Sequence, residues 1–376
     1  MSDTEREPSG LFPLEGRPPI LPSEERDRIA ERFPPAPAAD ERSLAGRLAR
    51  LKRQANGREP FVFDEVMALA YRPGPGLSFI DNTFVEHEGK LWNFHITGSP
   101  EDLEKADPRI RKLAYEYTGY AVGSGLFDLE YRGLILSTPQ GEWDCVATGV
   151  PVNIHPYAGG FACVTTGVGM QGTRCGVAFS TDLLDWRYHG RNPVLPPPPW
   201  AEPYGACKDS HVLRIGDTYH IYYIVTAKLG YSAIALATTT DWDRFELAPE
   251  PVFLFPAGLR GTGGCESPCI LERDGVFHLF FCNGPGTWHT ISDRPDRFAG
   301  TNGIYLVGPF VAAEIFRWAG RWWLSSTRKE DLRRKDRLRS ISHHGDMEDE
   351  RRNLAGMYVA ELTWDGDFPV LSRPLP

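Results

Sequence analysis

The chain of 376 residues lacks any apolar run of the length a membrane helix needs, about 20 residues. It has no surplus of positive charge: 41 Lys and Arg stand against 50 Asp and Glu, a net charge of -9. That balance argues against general affinity for nucleic acid, whose phosphates demand a basic face. Neither a nucleic-acid nor a membrane partner is expected. The first residues, Met1 to Glu7, are acidic and contain no apolar signal region, so a cytoplasmic location is the expectation. Cysteine is scarce and odd in number, with seven at 145, 163, 175, 207, 265, 269 and 282. Most lie in apolar, strand-like runs, which suits buried reduced thiols better than a disulfide framework. Cys265 and Cys269 have no second pair nearby to complete a zinc site, so no metal is expected there.

What is present points to an all-β protein. Aromatics make up 12% of the chain, and Val, Ile, Thr and Tyr fall in short runs between 38 glycines and 32 prolines. Three stretches repeat one pattern: Phe79-Ile80-Asp81-Asn82-Thr83-Phe84, Cys207-Lys208-Asp209-Ser210-His211-Val212 and Cys265-Glu266-Ser267-Pro268-Cys269-Ile270. Each sets a carboxylate at the start of an apolar run, with a glycine (89, 216 or 275) and an aromatic strand following. Two further units keep the glycine and the strand without the acid motif, at Gly160-Phe161 and Gly320-Arg321-Trp322. Successive glycines are 45 to 71 residues apart, a period that indicates a propeller with about four strands per blade. A second echo, Ser180-Thr181-Asp182, Thr239-Thr240-Asp241 and Ser292-Asp293, precedes Trp186, Phe245 and Phe298. It supplies the polar turn that a blade needs between its middle and outer strands.

The expected fold is therefore a five-bladed β-propeller over residues 75–376, behind a short N-terminal helical arm within residues 1–70. Ser23 to Phe33 and Glu41 to Ala55 have helical spacing, with Ser43 placed as an N-cap. The arm is expected to pack on the propeller or on a second subunit as a homodimer. Pro100 to Tyr117 reads as a helical insert, and the mixed charges from Arg328 to Arg339 read as a solvated insertion.

In a propeller the innermost strand of each blade lines the axis. The acid motifs begin such strands, so the expected ring is Asp81, His155 (or Asn153), Asp209, Glu266 and Glu314. Carboxylates crowded there push one another's pKa values apart, which allows one to donate a proton while another stays ionised. His95, His220 and His278 lie mid-strand and are expected to fill space between strands or blades.

These motifs resemble the five-bladed propeller glycosidases, glycoside hydrolase families 43, 32, 68, 117 and 130. The resemblance covers about residues 77 to 372, and the Glu-x-Pro motif at Glu266-Ser267-Pro268 is its most specific part. Asn82 and Ser210 stand where those families carry proline, and Lys208 stands where they carry arginine. No β-sandwich domain is expected after the propeller, in contrast to family 32. The resemblance implies Glu266 as general acid, Asp81 as nucleophile or base, and Asp209 as the residue that orients the sugar or tunes the acid. Lys208, His211 and Asn82 are candidate partners of sugar hydroxyls, and Trp288 and His289 candidate walls of the pocket. Some relatives hold a central cation on histidine and water. The implied substrate is a glycoside, an oligosaccharide or a sugar-like small molecule. Two alternatives stay open: a non-hydrolytic enzyme on the same ring, such as a phosphorylase or a biosynthetic enzyme, and a propeller that binds carbohydrate without activity.

Overall fold

A computed structural model describes residues 40, 42–73, 79–97, 117–135, 141–145, 147–228, 232–254, 265–284, 286–298, 304–327 and 356–375. The expected helices at Ser23–Phe33 and Pro100–Tyr117 lie almost wholly outside these residues; Tyr117 itself opens a strand. The charged segment from Arg328 to Arg339 also lies outside them.

The described strands form five antiparallel sheets. Blade I holds β2 (Ile80–His87), β3 (Lys90–Thr97), β4 (Tyr117–Gly123) and β5 (Glu130–Ile135). Blade II holds β6 (Ala147–Tyr157), β7 (Gly160–Gly169), β8 (Gly172–Ser180) and β9 (Arg187–Tyr188). Blade III holds β10 (Cys207–Ile215), β11 (Thr218–Thr226), β12 (Ser232–Thr239), β13 (Glu246–Leu247) and β14 (Phe253–Leu254). Blade IV holds β15 (Glu266–Arg273), β16 (Val276–Asn283), β17 (Gly286–Ser292) and β18 (Tyr305–Gly308). Blade V holds β19 (Val311–Trp318), β20 (Arg321–Thr327), β21 (Met357–Asp365) and β22 (Phe368–Ser372). The innermost strands β2, β6, β10, β15 and β19 neighbour one another in cyclic order. The protein is a five-bladed propeller.

The ring closes through both chain ends. Strand β1 (Ala68–Tyr71), which sequence spacing left with the N-terminal extension, pairs with β21 and becomes an outer strand of blade V. A four-residue strand has too little pattern to be read alone; it is defined by the edge it covers. Just ahead of it, Phe63 packs edge-on against Tyr358.

Burial explains the aromatic strands. Second strands lie between neighbouring strands in their own sheet and between blades on both faces, so they read as continuous apolar runs. All eight residues of β16 are buried. The outermost strands β9, β13 and β14 are only two residues long, which leaves little open edge for another chain to pair with.

The repeated Ser/Thr-Asp pairs make the turns expected of them. Ser180 Oγ accepts the N–H groups of Asp182 and Leu183, and Asp182 Oδ1 accepts those of Leu184 and Asp185. Thr239 and Asp241 repeat the arrangement around Trp242, which is fully buried.

Helix α1 (Leu44–Asn56) begins at a serine cap, where Ser43 Oγ accepts the Gly46 N–H. Further along, Leu51 is fully buried, and Arg47, Arg50 and Gln54 bind the β21–β22 hairpin. Arg47 forms a fork with Asp367, one arm of which is 2.7 Å long. Arg50 and Arg58 pair with Asp365.

Candidate active site

Every innermost strand carries a β-bulge, near its start in four of them and mid-strand in β6. The register slips between Ile80 and Asn82, Val152 and Ile154, Lys208 and His211, Glu266 and Cys269, and Val311 and Glu314. A single residue in each bulge adopts the left-handed region: Asp81, Asn153, Asp209, Ser267 and Ala312, with φ between 31° and 52°. A bulge re-aims the side chains on either side of it, and bulges gather beside functional sites. Asp and Asn tolerate this conformation, whereas Ser and Ala do so at a cost of about 1 kcal/mol or more.

Aligned on the bulge, the expected ring separates into layers. Asp81 and Asp209 are equivalent left-handed residues. Glu266 precedes its left-handed residue by one, in the same place as Lys208. His155 and Glu314 follow theirs by two, together with Thr83, His211 and Cys269. Motif spacing in the sequence did not show this offset, because a bulge inserts a residue without changing the look of the flanking pattern.

The first cluster joins blades III and IV. Lys208 Nζ lies 3.1 Å from Asp209 Oδ2 and 3.2 Å from Glu266 Oε1. Asp209 Oδ2 also accepts the Ser267 N–H at 3.4 Å. Burial pulls the Lys208 pKa down, but Asp209 and Glu266 together outweigh it and hold the ammonium above its ordinary value. Two carboxylates from different blades thus share one cation.

The second cluster joins blades I, III and V. Burial, and next the charge of Asp81, push the Glu314 carboxyl up to about 8. Its Oε1 lies 3.7 Å from His211 Nδ1. The other ring nitrogen of His211 meets the Ile270 carbonyl at 2.9 Å. Burial above all, then the nearby His155, pushes the His211 pKa down to about 3, against the carbonyl's opposing pull. His155 is pushed down to about 4, chiefly by burial, and sits edge-on to Tyr219. Asn153 donates to the Ser210 carbonyl and so ties blade II to blade III.

Asn82 is buried between blades I and V. Its Oδ1 accepts from Asn93 at 3.3 Å and from Ser325 at 3.2 Å. Trp288 and His289 are not brought to the acids. They belong to β17, the third strand of blade IV: Trp288 donates to the Asn283 carbonyl, while His289 is fully buried on Phe280 and meets His278 and Tyr305. The preceding glycine loop suggested a pocket wall, yet a third strand is one step away from the axis and its aromatics serve blade packing. Sequence reasoning weighed Cys269 only as one of a pair with Cys265 and set it aside. The signal was its place two residues beyond the bulge, level with His211 and Glu314.

No protein-family model matches the chain, and no curated protein matches it. Solved structures do. A thermostable family-43 glycoside hydrolase aligns with a TM-score of 0.56 at 14% identity, over 79% of this chain and 94% of that one. A family-32 β-fructofuranosidase from Bombyx mori aligns at 0.57 and 16% identity, over 88% and 70%. A family-43 enzyme from Xanthomonas citri, solved with xylotriose, aligns at 0.55 and 14% identity, over 87% and 95%. The fold is that of the five-bladed propellers found among these glycoside hydrolases. At such identities the likeness carries the fold alone.

Proposed function

We propose that this chain is a glycosidase-type enzyme, acting on a glycoside or a sugar-like small molecule by carboxylate acid–base chemistry at the start of the innermost strands. The observation that carries the reading is the pairing of Asp209 and Glu266 through Lys208, 57 residues apart in sequence yet on one ammonium. Partly exposed carboxyls held this way are available to a ligand, and the bulges at Asp81 and Asp209 re-aim the side chains beside them.

Glycoside cleavage needs a proton for the leaving oxygen and an attacking or water-activating carboxylate on the anomeric carbon. In this reading Glu266 is the donor, and Asp81 is the nucleophile or base. Asp209 is a positioning residue: it competes with Glu266 for Lys208. A lysine at 3.2 Å favours the ionised form of Glu266, so proton donation requires the ammonium to turn toward Asp209 when substrate enters. Asn82, whose Nδ2 has no hydrogen-bond partner among the described residues, would contact a sugar hydroxyl. The neighbours solved with xylotriose or named as β-fructofuranosidase make pentose and fructose glycosides the first substrates to try.

The test is a screen of aryl furanosides, xylosides and fructosides with and without phosphate. Release of the aryl group without phosphate supports hydrolysis. Release that depends on phosphate replaces it with the phosphorylase reading. Saturable sugar binding without turnover replaces it with a carbohydrate-binding propeller.

A further inference from the structure

We propose that His211, Cys269 and Glu314 form a binding site for a thiophilic divalent cation of the zinc class. Each comes from a different blade, III, IV and V, and each stands two residues beyond its strand's left-handed residue. Nδ1 of His211, Sγ of Cys269 and a carboxylate oxygen of Glu314 all lie within 4.8 Å of one another. The proposal does not depend on glycoside chemistry in the neighbouring cluster.

Three features point to a ligand. First, His211 is buried, with 8% of its surface exposed, and its Nδ1 has no hydrogen-bond partner. A buried polar atom left this way costs free energy unless something occupies it. Second, the tautomer suits coordination. The Ile270 carbonyl can only accept, so Nε2 carries the proton. The Nδ1 lone pair is left aimed at Glu314 and Cys269, the backbone-oriented histidine common at metal sites. Third, Cys269 Sγ receives the Ile315 N–H at 3.3 Å, and such a donor stabilises a thiolate as it would in an outer shell.

The dimensions agree with the ion. Zinc takes nitrogen at about 2.0–2.1 Å and sulfur at about 2.3 Å, so tetrahedral ligands stand roughly 3.5 Å apart. His211 and Glu314 are already at 3.7 Å. With all three atoms within 4.8 Å, the widest pair needs to close by about 1 Å to meet those bond lengths. Thiolate with imidazole selects zinc, or cobalt in its place, over calcium and magnesium, which prefer oxygen. On binding, the Cys269 thiol gives its proton to solvent, since a coordinating thiol is deprotonated outright. Three protein ligands leave a fourth position for a water or substrate oxygen.

The test uses the full chain. Protein purified without chelators is expected to carry close to one zinc per chain by elemental analysis. After chelator stripping, cobalt(II) is expected to restore visible bands of a tetrahedral ion and a near-ultraviolet thiolate-to-cobalt charge-transfer band. Cys269→Ser should abolish the charge-transfer band, while Cys265→Ser, a neighbouring buried thiol, should keep it. His211→Ala and Glu314→Gln should each weaken cobalt binding at least tenfold. Stripped wild-type protein that takes up no cobalt, or takes it up without the charge-transfer band, overturns the proposal. So does a band that persists in Cys269→Ser or disappears in Cys265→Ser. The wild-type measurements decide the matter even if a buried variant fails to fold.

Discussion

Each innermost strand has two left-handed points, one in its bulge (mid-strand in β6, near the start in the others) and one at the turn that follows it, and the two places handle them differently. At the far end, in four of the five blades, the strand turns into its neighbour through a two-residue loop, Glu88-Gly89, Ala158-Gly159, Asp274-Gly275 and Ala319-Gly320, with both residues at positive φ; in blade III only Gly216 of the loop Gly216-Asp217 is so. The four have the type I′ geometry matching the right-handed twist of a hairpin, and glycine takes it without strain. In blade II the turn glycine is Gly159; Gly160, counted in the sequence repeat, opens β7. At the near end the left-handed residue is never glycine. It is Asp, Asn, Asp, Ser or Ala, and charged or metal-ligating side chains surround it. One end is built for economy of folding, while the other accepts strain where polar side chains must be aimed. The difference supports placing the proposed site at the near end.

The comparison is broken if near-end substitutions cost stability rather than activity. The largest effect expected is on turnover. Glu266→Gln keeps the shape and removes the proton donor, so kcat on a glycoside found by the screen should fall by roughly 10²–10⁴-fold. Its thermal midpoint should stay within a few degrees of wild type. A variant with full activity removes Glu266 from the mechanism.

Next is the Glu314 carboxyl. Its folded-state pKa is raised to about 8, so in chelator-treated protein the folded chain keeps a proton that the unfolded chain has lost. Below the ordinary glutamate range both forms are protonated and the group is neutral in its effect. As pH rises from about 4.5 to 8 stability falls, and above 8 the whole penalty remains. Glu314→Gln removes the ionisation, so metal-free protein should gain a few kcal/mol at pH 9 and little at pH 5. Urea unfolding at the two pH values measures it, and equal changes at both would show that Glu314 ionises freely.

Smaller effects sharpen the contrast between the ends. At Gly320 an added Cβ meets nothing within 4 Å, so Gly320→Ala isolates the cost of a left-handed backbone, about 1–2 kcal/mol of stability. Turnover should not change. The smallest effect belongs to Ala312→Gly. Relief of strain there is offset by the added freedom of the unfolded chain, and the net change should lie within about 1 kcal/mol of zero. A loss as large as that at Gly320 would mean that Ala312 is held by packing and that the two ends are alike.

Much was legible before any coordinates. The five blades followed from glycine spacing and aromatic strands, because a hairpin and a doubly covered strand each impose a local chemistry. Ser43 was readable as a cap and Ser180-Thr181-Asp182 as a turn for the same reason. Asp81, Asp209 and Glu266 stood out as acids opening apolar runs. Assigning Trp288 and His289 to the site failed, because the distance of a strand from the axis is a property of the sheet and leaves no mark on the strand itself.

The sequence by itself determined the type and number of the blades, the turns that join their strands, and the set of acids at the strand starts. These are local matters, written in residues a few positions apart. Only the tertiary structure decided which of those residues meet. Lys208 stands between Asp209 and Glu266, Asp81 faces Glu314, and Cys269 comes level with His211, because a bulge in every innermost strand offsets its residues before the ring closes. Such contacts join residues tens to hundreds of positions apart. No periodicity encodes them; closure of the ring through β1 and β21 brings them about.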